Sequence, residues 1–180
     1  MNLTESEYTA LRHTIASRGT VRMTLLPVTF IGWAIVAGTL TVLGNNPATS
    51  LFSLMVLAGG FEAIHAMHVG AERIGRYLQV FYEADSGGPR WETTAMSIGP
   101  ALPGGGIDPL FTLVFALATL LNLLPAMVPS PTPIELAVIG VMHAAFLVRL
   151  VRARGAATRQ RAIDLESYQA VKLRMANGKE

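Results

Sequence analysis

The sequence predicts an all-α integral membrane protein: four transmembrane helices arranged as two antiparallel hairpins, with amphipathic helices at cytoplasmic N- and C-termini. Three observations predict it. The 180-residue chain is 51% hydrophobic and only 14% charged, whereas soluble domains average about 25% charged residues. Four apolar runs of roughly 18–23 residues each have the length a helix needs to cross a hydrocarbon core of about 30 Å. Finally, the basic residues fall on one side of a four-span layout. Residues 1–23 carry three, the first short link none, the middle segment three, the second short link none and the remainder eight of the 14. The positive-inside rule then puts both termini and the middle segment in the cytoplasm. The expected location is the plasma membrane, or the inner membrane if the source is bacterial.

The N-terminal residues 1–22 read as a cytoplasmic amphipathic helix. In "TESE", Thr4 fits an N-cap and Glu7 the N3 position of a capping box. Tyr8, Leu11 and Ile15 make a narrow apolar stripe, and Gly19 is the expected end.

Span one is Thr24–Leu43, with Pro27 in its first turn, where proline is tolerated. Its Gly32, Ala34 and Gly38 allow close helix approach. Trp33 falls near mid-membrane, where its indole N–H needs an acceptor and so should face protein. The run starts too far in and is too long for a signal-peptide core.

The turn "GNNP" leads to span two, Ala48–Gly70. A cytoplasmic loop follows at 82–108, with one short helical turn expected near Trp91. Asp108 before Pro109 reads as an N-cap for span three, Pro109–Val128. "PGGGID" lacks the Lys and Ser/Thr of a phosphate-binding loop. The turn "PSPTP" leads to span four, Ile134–Val151. Residues 152–180 form a basic cytoplasmic helix, with an interruption expected at Gly155.

The candidate site lies on spans two and four. At about 1.5 Å per residue, Glu62 is about 21 Å into span two and Arg149 about 22 Å into span four. An unpaired charge at such depth costs at least about 2.5–3.5 kcal/mol on insertion scales, so a Glu62–Arg149 pair is expected. With His65 and His143 these residues make an intramembrane ionisable seam. His68, Glu72, Arg73 and Arg76 are its cytoplasmic end, where the helix emerges and its charges are solvated.

Glu62 and His65 also have the Glu-x-x-His spacing of di-metal bundles. Spans one and three, however, have no interior carboxylates to complete such a site, so no metal is expected. Haem is the weaker cofactor expectation, with ligands drawn from His65, His68 and His143; otherwise none is expected.

Three functions compete. The leading one is a non-enzymatic, multi-pass membrane protein. It would be a homo-oligomer or a subunit of a membrane complex, and its seam would either conduct protons or ions or lock the bundle. The second is a haem-binding redox subunit. The third is a membrane enzyme at the cytoplasmic leaflet, although no nucleophile or metal signature supports a specific reaction. The partner expected in every case is the lipid bilayer. Nucleic acid is not expected, because the basic residues follow membrane topology and form no binding module.

Overall fold

In a computed structural model the chain is all-helical throughout its described residues, 3–43, 46–84, 90–98 and 109–178. Six α-helices follow in order: α1 Leu3–Leu43, α2 Ser50–Leu78, α3 Trp91–Ile98, α4 Pro109–Leu121, α5 Leu124–Met127 and α6 Pro133–Asn177. A 3₁₀ turn, Pro47–Thr49, leads into α2, and a π-helical turn, Gln79–Glu83, leaves it. Three helical stretches are long and apolar enough to cross a membrane: Thr4–Leu43, Pro47–Glu83 and Pro133–Asn177.

Several expected boundaries move. α1 begins at Leu3, so Thr4 lies inside its first turn rather than at its cap. Neither Gly19 nor Gly155 interrupts a helix. A glycine costs roughly 1 kcal/mol relative to alanine in a helix interior, and long flanking helical segments outweigh that. Pro27 is likewise interior to the 41 residues of α1, where its ring nitrogen has no proton to donate one turn back. The third apolar run is a shorter helical segment, Phe111–Met127, broken after Leu121. Pro125 explains the break, because it cannot donate to the Leu121 carbonyl. The chain tightens instead: Leu123 N bonds Leu120 O and Ala126 N bonds Leu123 O, each at 3.1 Å. Asp108 and the "PGGGID" run lie outside the described residues.

The start of α6 is a capping box that the sequence reading passed over. Thr132 N and Oγ1 both donate to Glu135 Oε2 at 2.8 Å, and Glu135 N donates back to Thr132 Oγ1 at 3.3 Å. Pro133 occupies the first helical position, where a missing N–H costs nothing.

The chain divides into two compact units. One comprises 22–65 and 109–154. Its core is Leu54, Leu57, Phe61 and Ile64 of α2, Phe115 and Ala118 of α4, and Phe146, Leu150 and Ala153 of α6. The spacings of three and four residues put each set on one helical face. Phe61 is the hub, with the rings of Phe111, Phe115 and Phe146 at 5.5–5.9 Å. The remaining faces are apolar as well: Ile31, Ile35, Phe52, Met55, Val141 and Val151 are each at least 60% exposed. Helices apolar on all sides are at home in lipid, and these features together support a membrane protein.

The other unit comprises 1–21, 66–108 and 155–180. Its interior mixes apolar and charged groups: Leu78, Val80 and Ala157 are buried, and so are Arg76 and Glu83.

Candidate functional site

The four intramembrane candidates fall into two groups within the first unit. The first group forms around Glu62 and Arg149. Arg149 Nη2 donates to Glu62 Oε2 at 2.7 Å. Glu62 follows core residue Phe61 and Arg149 precedes core residue Leu150, so both flank the packed seam and reach out from it. Their side chains are 48% and 40% exposed, respectively. The Arg149 guanidinium also lies 5.7 Å from the centroid of the Phe61 ring, within cation–π range. The His65 imidazole stacks on the same ring, nearly parallel, at 5.7 Å.

The second group forms around Asn122, at the end of α4. Its Oδ1 accepts from Trp33 Nε1 at 3.0 Å and Ser53 Oγ at 2.6 Å. Its Nδ2 donates to Ser50 O at 2.8 Å and to His143 Nε2 at 3.0 Å. The amide therefore uses both acceptor sites and both donors. It ties α1, α2 and α6 to α4 while only 1% exposed.

The tautomer of His143 follows from its partners. Nε2 is the acceptor, so Nδ1 carries the proton, which it donates to Ile139 O at 2.8 Å. The lone pair that a haem iron would take is already engaged by Asn122. His65 stacks on Phe61 in the separate group, and His68 lies in the other unit. Among the described residues no group of three or more His, Asp or Glu side chains is placed to hold a metal ion.

The four residues read as the cytoplasmic end of the seam belong to the second unit, where they make structural pairs. His68 Nε2 lies 3.5 Å from Glu72. Glu72 accepts from Arg161 Nε at 2.7 Å. Arg73 Nε donates to Asp164 at 3.3 Å. Arg76 Nη2 donates to Glu92 at 3.4 Å, and Arg12 Nη1 donates to the same carboxylate at 2.8 Å. Arg76 is 5% exposed. Burial lowers its pKa from the ordinary guanidinium value, against the opposing pull of Glu92 and Glu72.

Glu83 was missed by the sequence reading. From the π-helical turn it accepts from the backbone N–H groups of Glu92 and Thr93 at 2.8 Å and from Thr93 Oγ1 at 2.9 Å. The first N–H groups of any helix lack intrahelical partners and favour a negative charge. A carboxylate eight residues upstream of the start of α3 supplies both. The hint was a buried-type acid in "QVFYE" ahead of a short helical motif, but no fixed spacing marks a cap delivered from another helix.

Comparisons with known proteins find no family model, no curated protein and no solved structure that matches the chain. The fold and composition define its class, a helical membrane protein, and its own geometry carries the rest.

Proposed function

We propose that the chain is a non-enzymatic, four-span plasma-membrane protein (inner membrane in a bacterium) that works as a subunit of a homo-oligomer, with both termini cytoplasmic. In this reading the third span is completed by α4 and α5 together. The ionisable residues lock the helices and do not conduct. The observation that carries this is the Glu62–Arg149 pair: closed at 2.7 Å, yet close to half exposed on an otherwise apolar surface. An ion pair left in hydrocarbon is costly, and such residues normally face protein or water. A second copy laid over this face would shield the pair from lipid. The engagement of both His143 nitrogens supports a lock over a proton relay, since neither has a free lone pair or a spare proton to pass on.

Two measurements test the reading. In detergent, Glu62→Gln leaves Arg149 unneutralised and should destabilise the fold by about 2–3 kcal/mol and weaken self-association. Combining it with Arg149→Met should recover at least half of the loss. A double variant no better than the worse single would remove the lock, and a monomeric wild-type protein by light scattering would remove the oligomer. The absence of native cysteine makes topology simple to map. Single cysteines at Asn46 and Ser130 should react with an impermeant maleimide from outside the cell, and one at Thr9 should not.

A further inference from the structure

The second unit contains a cavity of about 560 Å³ between α1, α2 and α6. Three features of its wall define a ligand class. Leu11, Ala66, Met67 and Ile74 form an apolar side, while Arg18 and Arg73 bring two positive charges. Glu7 is the opposing acid, but it accepts from the Tyr77 hydroxyl at 3.0 Å, and Arg73 is partly neutralised by Asp164. Arg18 is different. It is half-buried, and among the described residues no hydrogen bond or ion pair engages its guanidinium.

Its position is set by Gly70. A Cβ there would overlap Arg18 Nη1 and approach Cζ to 3.2 Å. The glycine therefore makes the space in which the guanidinium rests against the backbone of α2. Tyr77 and Tyr168 also line the cavity.

We infer that this cavity binds the phosphate headgroup of an anionic phospholipid, with Arg18 as the principal contact and Arg73 as the second. A free phosphate ion would use the two arginines but has no need of the apolar side. A lipid uses both, its glycerol and upper acyl chains lying along Leu11, Met67 and Ile74. The location along the chain fits: residues 66–74 of α2 follow directly on the apolar stretch of that helix, where headgroups meet a span as it leaves hydrocarbon. The inference rests on membrane residence and is independent of the oligomer and of the Glu62–Arg149 lock.

Delipidated full-length protein in detergent, titrated with phosphatidylglycerol or phosphatidylcholine and read by native mass spectrometry, tests it. The wild type should bind the first lipid at least tenfold more tightly than the second. Arg18→Gln should abolish that preference. Gly70→Ala should reduce it several-fold while leaving helicity unchanged, because the added methyl displaces only the flexible tip of Arg18. Glu62→Gln should bind lipid as the wild type does, which separates this site from the proposed lock. Equal binding of the two lipids by the wild type, or an unchanged preference in both Arg18→Gln and Gly70→Ala, would overturn the site. Displacement of the lipid by an equal concentration of glycerol phosphate would overturn its assignment to a lipid.

Discussion

Gly60 and Gly59 are neighbours on α2 with opposite expectations. A Cβ built on Gly60 would lie 2.7 Å from Thr29 Cβ and closer still to its Cγ2 and Oγ1. Ordinary carbon–carbon contact begins at about 3.5 Å, so α1 and α2 would have to separate by about 0.8 Å or more. Thr29 cannot absorb the shift by rotating. It is β-branched, only 6% exposed, and its hydroxyl is tied to Leu25 O at 2.7 Å. Overpacking of this kind costs about 1–3 kcal/mol, against about 1 kcal/mol regained from the better helix propensity of alanine. Gly60→Ala should therefore be neutral to about 2 kcal/mol destabilising. A Cβ on Gly59 meets nothing within 4 Å, so Gly59→Ala should keep the propensity gain. The two variants should differ by about 1–3 kcal/mol in reversible unfolding from mixed detergent micelles, and Gly60→Ala combined with Thr29→Ala should close most of the gap. Equal stability of the two single variants would refute the close α1–α2 approach.

Two further substitutions probe the buried polar groups. Asn122→Leu removes four hydrogen bonds at once. At about 0.6 kcal/mol per interhelical bond in membranes, it should cost about 2–3 kcal/mol; in a Trp91→Phe background, Trp33 emission should shift as its indole loses an acceptor. Glu83→Ala uncaps α3 and should cost about 0.5–2 kcal/mol, read as faster amide exchange at Glu92 and Thr93 with little change in total helicity.

The apolar helices were legible because composition and run length act over many residues at once. Trp33 was expected to need an acceptor, and the Glu62–Arg149 contact could be anticipated from matched depth along two helices. The break at Leu121 was harder, since Pro125 also fits inside a long apolar run and only the lost bond to Leu121 O marks the interruption. The continuity of α1 through Gly19 and of α6 through Gly155 is not legible from single-residue propensities of about 1 kcal/mol, because the cooperativity of a long helix overrides them. The charges after Gly70 were read as solvated because hydropathy places them outside the bilayer. Hydropathy does not reveal that Arg12, Arg76 and Glu92 converge, as that depends on three helices meeting. Thr132 and Glu135 were legible at the correct capping-box spacing and were overlooked.

The saturated amide of Asn122 also constrains how the protein is made. Trp33, Ser50 and Ser53 precede it in the chain, but His143 follows. A nascent chain halted before α6 would carry one amide proton without the acceptor it has in the finished fold. The network around Asn122 is therefore complete only once α6 has joined the helices that precede it.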